Sequence, residues 1–155
     1  MSNIIERLRL VPIATITDMV TIDEICTSNH MYQISRWGKR KVLVKKPSIA
    51  KIQSSIEKQL VHLRPEIPEN FICFSILVKF IFDAETFLLK YKDELKRRDL
   101  TNLYKPIEDG ICSGLGIDDS KSIKNDLRKF IVNDSDQPYK IAFNIEFYGT
   151  RSSNE

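Results

Sequence analysis

Hydrophobic positions recur along this chain with two different periods, and the period assigns the element. Between Pro47 and Pro65 the apolar residues are Ile49, Ile52, Ile56, Leu60 and Leu63, spaced three, four, four and three. That spacing predicts one face of an amphipathic helix, with Pro47 in its first turn and Pro65 as its stop. From Phe71 to Phe82 the period becomes two. Ile72, Phe74, Ile76, Val78, Phe80 and Phe82 share one face, and Cys73, Ser75, Leu77 and Lys79 share the other. Two faces with a single charge between them predict a largely buried, central strand. Tyr139–Tyr148 repeats that period, with Ile141, Phe143, Ile145 and Phe147 alternating with Lys140, Ala142, Asn144 and Glu146, and predicts a further strand.

The remaining segments are less regular. Residues 5–25 are rich in Ile, Val and Thr around Pro12 and predict one or two strands. Thr27–Lys46 turns from polar to basic around Gly38, the composition of a hairpin or a mobile loop. Asp83–Lys96 predicts a short helix with Phe87, Leu88, Tyr91 and Leu95 on one side and Asp83 as its N-cap. Another helix begins near Asn102 with the stripe Leu103, Ile107 and Ile111. Pro106 is compatible with it in or near the first turn, and Gly110, Gly114 and Gly116 loosen its end. Residues 121–132 fit two patterns: Ile123, Leu127, Phe130 and Ile131 suit a helix, whereas Phe130, Ile131 and Val132 suit a strand.

Composition narrows the class. At 155 residues a single domain is expected. Hydrophobic residues at 42% and charged residues at 29% exclude a disordered or fibrous chain. No apolar run reaches the roughly 18 residues a membrane span needs, and the first residues lack the charged-then-apolar order of a signal peptide. An intracellular protein without a membrane partner is therefore expected. Cys26, Cys73 and Cys112 form no CxxC pair, and His30 and His62 are the only histidines. Reduced, packed thiols fit better than disulfides or zinc. The net charge of +3 is too small to argue for nucleic acid by itself. Its distribution says more, because Arg36, Lys39, Arg40, Lys41, Lys45 and Lys46 have no acidic residue among them.

The densest chemistry lies in residues 96–120, KRRDLTNLYKPIEDGICSGLGIDDS. Lys96, Arg97 and Arg98 lead into Asp99. Asn102, Lys105 and Asp109 follow, and a glycine-punctuated loop delivers Asp118 and Asp119. Carboxylates on both sides of a short helix suit a hard cation such as magnesium, which takes oxygen ligands and keeps several waters. A cation so held can bind a phosphodiester and activate water. Lys105 and Asp109, four apart, share a helix face beside it, and Arg97 and Arg98 can grip neighbouring phosphates. Taken singly, each piece is ordinary surface chemistry: a loop cap, an exposed helix pair, a solvated basic run.

In combination, RRDLTNLYKPIEDGI…LGIDDS resembles the signature of the RusA family of Holliday junction resolvases. In that family a basic pair precedes Asp-x-Asp-Asn-Leu, followed by a lysine, an Asp four residues later and an Asp-Asp pair. The matching positions are Asp99 for the first metal-binding Asp, Asn102, Lys105, Asp109, and Asp119 for the final catalytic Asp with Asp118 beside it. Ser28, Asn29 and Tyr32, then Arg36–Lys46 and the Pro47 helix, resemble the family's N-terminal loop and basic stretch. The resemblance implies an α+β fold, a small mixed sheet packed with helices in the order β-α-β-α-β-β, with residues 121–132 a strand. It covers the chain from about Thr27 to Tyr148. Residues 1–26 are then an N-terminal extension of the single domain 1–155, and residues 150–155 a frayed tail.

The activity so implied is a structure-selective endonuclease, a homodimer nicking symmetric strands of a four-way DNA junction with magnesium or manganese. Asp99, Lys105, Asp118 and Asp119 would be catalytic. Asp99, Asp118 and Asp119 would hold the metal, with Thr101 and Asp109 as further candidates. Arg97, Arg98, Asn29, Asn102, Lys39, Arg40 and Lys41 would hold DNA, and Trp37 could stack on an unpaired base. Such a protein acts in the cytoplasm at the nucleoid, or on host DNA if virus- or prophage-encoded. One departure bears on activity: Thr101 stands where the family carries its second Asp, and offers a neutral hydroxyl instead of a charge. A junction-binding protein impaired as a nuclease is therefore an alternative, and a small protein-interaction domain is another.

Overall fold

The computed structural model describes residues 4–24, 32–84, 100–133 and 139–151, the side chains of 32–35, 37 and 100–102 excepted. Alternation at the centre of the chain produces β4 (Cys73–Asp83), flanked by β6 (Tyr139–Gly149) and β5 (Ser122–Val132). With β1 (Val11–Ile22) they form a four-stranded sheet in the order β1-β6-β4-β5. β6 runs antiparallel to both β1 and β4, whereas β5 runs parallel to β4. A parallel neighbour requires a crossover, and the chain between Asp83 and Ser122 supplies it.

Every even-numbered side chain from Phe74 to Phe82 is buried, and the register sets Ile76 opposite Ile145 and Val78 opposite Phe143. The other face of β4 is half-buried apart from Cys73, as its mixed composition predicts. Strand formation in residues 121–132, left open by periodicity, follows from the position of β5. It is an edge strand, so only Ile123, Leu127 and Ile131 need partial cover while Phe130 and Val132 stay exposed. The N-terminal residues contribute the other edge strand, β1.

One face of the sheet is covered by two helices, α2 (Pro47–Leu60) and α3 (Leu100–Leu115). Ile49, Ile52, Ile56 and Leu60 are buried on α2 as their spacing predicts, and Leu103, Ile107 and Ile111 are buried on α3. Pro65 does not end α2. The helix passes at Val61 into a 3-10 segment, Val61–Glu66, that contains Pro65. From there Arg64 donates to the carbonyls of Gly114 and Ser113 at 2.8 and 3.2 Å, satisfying the negative end of α3.

The glycines of α3 bring the helices together and do not loosen them. A Cβ on Gly110 would lie 3.1 Å from Ile56 Cδ1, and one on Gly114 3.1 Å from Glu57 Cα. Gly116, at φ +71°, ends the helix in a left-handed cap, with Ile117 N–H donating to the Cys112 carbonyl at 2.9 Å. Pro106 also departs from expectation. It is well inside α3 and not in its first turn, so the Asn102 carbonyl lacks its helical donor.

The basic segment forms a separate two-stranded ribbon, β2 (Tyr32–Trp37) with β3 (Arg40–Lys45), turning at Gly38 with φ +62°. A four-residue helix, α1 (Ile4–Arg7), precedes β1. No helix among the described residues is long and apolar enough to cross a membrane. The helix predicted over Asp83–Lys96 lies, beyond Ala84, outside the described residues.

Candidate functional site

Lys105 projects from the second turn of α3, and three carboxylates meet its ammonium. Its Nζ lies 2.5 Å from Asp119 Oδ2, 2.8 Å from Asp109 Oδ1 and 3.9 Å from Glu108 Oε2. Asp109 and Glu108 reach it because residues three and four apart share a helix face. Asp119 reaches it because the Gly116 cap reverses the chain, Ile117 is buried beneath, and a 3-10 turn, Asp119–Lys121, leads into β5. Asp118, next door, faces elsewhere. Its exposed carboxylate accepts from the Ser120 N–H at 2.9 Å, capping that turn, and the hydrogen bonds from Ser120 hold its carboxyl below the usual range.

The electrostatics are those of an acidic site built around one cation. Burial works to lower the pKa of Lys105, but its hydrogen bonds to Asp109 and Asp119 outweigh that and raise it. Glu108 is only 6% exposed. Burial pushes its carboxyl up, and the Lys105 charge offsets only part of the rise. Behind it lies Tyr104, whose buried hydroxyl has no hydrogen-bond partner among the described residues. Burial and the neighbouring Glu108 carboxylate raise that hydroxyl's pKa. Cys112, one turn beyond Glu108, is pushed up to about 12 by burial and by Glu108, so its thiol is packing and not a nucleophile. Cys73 is likewise a buried free thiol, and Cys26 lies outside the described residues.

The structure thus joins three of the residues singled out in the sequence: Lys105, Asp109 and Asp119. Asp99, Arg97, Arg98 and Asn29 lie outside the described residues. Thr101 and Asn102 fall in the first turn of α3, and Trp37 in β2, with their side chains outside the description. Lys39, Arg40 and Lys41 are exposed at the tip of the ribbon, together with Arg36.

Sequence reading overlooked Glu108 and Tyr104. Glu108 was legible as the i+3 neighbour of Lys105, but nothing local announces that a glutamate beside a more exposed aspartate is buried. It also overlooked Gln53, 6% exposed on α2, although its position four after Ile49 and three before Ile56 places it on the apolar stripe.

The resemblance implies a divalent cation, and the donors fit its chemistry in part. Asp109 and Asp119 each bring a carboxylate oxygen to the Lys105 ammonium, at 2.8 and 2.5 Å, and magnesium is commonly held by one or two carboxylates plus water and phosphate. Among the described residues no three His, Cys, Asp or Glu side chains are grouped to hold a metal ion.

No protein-family model matches the chain, and no curated protein matches it. A solved 2C-methyl-D-erythritol 2,4-cyclodiphosphate synthase from Plasmodium vivax is similar over 92% of this chain and 99% of that one, at 11% identity and a TM-score of 0.33. A likeness that slight carries no argument.

Proposed function

We propose that this chain is a RusA-like structure-selective endonuclease that resolves four-way DNA junctions by metal-dependent phosphodiester hydrolysis. The supporting observation is the contact of Lys105 with both Asp109 and Asp119. A lysine, a helix aspartate and a loop aspartate picked out by motif order converge on one point, although Asp119 is 14 residues beyond the lysine.

The roles are those the resemblance implies. Asp99, Asp119 and Asp118 are the carboxylates for a magnesium or manganese ion, with Thr101 and Asp109 as further candidates. When bound, the cation would draw a phosphodiester oxygen to the carboxylates and offset its charge. Lys105 is already held in place by Asp109 and offers its ammonium to the charge that develops on the phosphate. Exposed Lys39, Arg40 and Lys41 on the ribbon, with Arg97 and Arg98, hold the backbone, and Asn29, Asn102 and Trp37 complete the DNA contacts. A junction presents two equivalent strands, so a two-fold homodimer acting inside the cell would set one site on each.

A second reading, a junction-binding protein impaired as a nuclease, is favoured by one observation. Thr101 stands where the family this chain resembles carries its second metal-binding Asp, and its hydroxyl brings no negative charge to the site. The test is incubation of the purified protein with labelled four-way junction and linear duplex, with magnesium, manganese or EDTA. Paired nicks confined to the junction and abolished by EDTA are expected. Salt-sensitive binding without cleavage supports the second reading, and neither binding nor cleavage refutes both.

A further inference from the structure

Buried polar side chains need partners, and those of Gln53 come from two places that the proposed function uses separately. Its Oε1 accepts from Lys45 Nζ, on the last residue of β3, at 2.5 Å. Its Nε2 donates to the carbonyl of Pro106, the residue after Lys105, at 3.2 Å and fully inside the protein. An ammonium can only donate and a carbonyl can only accept, so the orientation of the amide is fixed by its neighbours. The three residues come from the ribbon, from α2 and from α3. Lys45 is exposed, and its ammonium is the part of this chain of contacts that an anion can reach.

We propose that Gln53 is a positioning residue that ties the basic ribbon to Lys105, so that the setting of Lys105 between Asp109 and Asp119 depends on Lys45. The inference rests on the nuclease reading only for its functional meaning. Pro106 explains why a tie is needed at that turn: it has no N–H, so this part of α3 lacks the hydrogen bond that would hold it from within. The Gln53 amide holds it from outside, through the carbonyl. A phosphate arriving on the ribbon competes for the Lys45 ammonium. The Gln53 oxygen then loses its partner, and the amide that sets the height of the Lys105 turn is freed to move.

The first test uses the full chain without DNA and follows the side-chain NMR resonance of Lys105. Lys45→Met is expected to shift it in the wild-type background and to leave it unmoved when Gln53→Met is also present. A Lys105 resonance indifferent to Lys45→Met, or shifted equally in both backgrounds, overturns the proposal. Gln53→Glu guards against a misfolded Gln53→Met. It keeps the Lys45 contact and loses the donor to Pro106, so Lys105 should move, and an unmoved resonance again overturns the tie.

The second test uses junction DNA. For Gln53→Met the single-turnover cleavage rate should fall by up to about 100-fold, the scale of a catalytic group misplaced by about 1 Å, with junction affinity unchanged. Equal losses in rate and affinity overturn the positioning role. A wild-type protein that does not cut leaves the NMR result standing and refutes the nuclease reading alone.

Discussion

Replacing Glu108 with glutamine should make the protein more stable at neutral pH and no different in acid. Glutamine keeps the shape of the side chain and removes only its charge. Glu108 is 6% exposed, and burial raises its carboxyl above the ordinary value of 4.5 despite Lys105 at 3.9 Å. A group whose folded pKa is raised contributes stability that is fully present below the unfolded pKa and is lost as pH rises through the folded one. Wild type should therefore lose stability as pH climbs above about 4.5, and Glu108→Gln should not. Each unit by which the folded pKa exceeds the ordinary value corresponds to about 1.4 kcal/mol. In a chain of this length 1 kcal/mol moves the melting temperature by roughly 2–4 °C, so the gain should be about 3–6 °C per unit. Thermal melts of both proteins from pH 4 to pH 8 supply the measurement. Coincident melts at pH 4 with the variant higher at pH 8 are expected. A variant that melts lower at pH 8 would show that pairing with Lys105 outweighs burial, and the electrostatic account of the site would be wrong.

Gly114→Ala should destabilise the fold by about 1–3 kcal/mol through overpacking against α2, although alanine is the better helix former; urea unfolding that shows a gain refutes the close-approach argument. Substituting Lys39, Arg40 and Lys41 together with alanine should weaken junction binding and flatten its salt dependence by roughly 0.9 log unit per lost phosphate contact, on the B-DNA scale. An unchanged slope would make the ribbon a solvated surface. Thr101→Asp should lower the magnesium concentration needed for cleavage, and should make the metal-free protein less stable while increasing its gain from added metal. Magnesium titrations of cleavage and of melting temperature test both, and a fall in activity would mean the site is already complete.

Period and spacing carried most of the architecture. The alternation of Phe74–Phe82 and of Ile141–Phe147, and the stripe Ile49–Leu60, correspond to β4, β6 and α2, because each buries one face against a single shared core. Residues 121–132 were ambiguous for a physical reason. An edge strand buries little, so Asn125 and Lys129 interrupt the alternation of Ile123, Leu127 and Ile131 that would betray a central strand. The glycines of α3 were read as helix-weakening because propensity is local, while the reason for them, Ile56 and Glu57 of another helix, is not. At the site, the motif brought out Lys105, Asp109 and Asp119, since helical spacing and a capped loop were both legible. Asp118 and Asp119 were inseparable in sequence. The 3-10 turn separates them by using one as a cap and sending the other to Lys105. The burial of Glu108 and Gln53 depends on how α2 and α3 pack, which no local pattern states.

The most direct measurement of the central claim compares wild type with Asp119→Asn on a labelled four-way junction, following binding and cleavage in the same preparation with magnesium present. The substitution removes a carboxylate charge from the Lys105 site and no group assigned to phosphate binding. The account predicts paired nicks by wild type, no cleavage by the variant, and junction affinity in the variant equal to or tighter than wild type. Normal cleavage by Asp119→Asn, or a wild-type protein that ignores the junction, would contradict it.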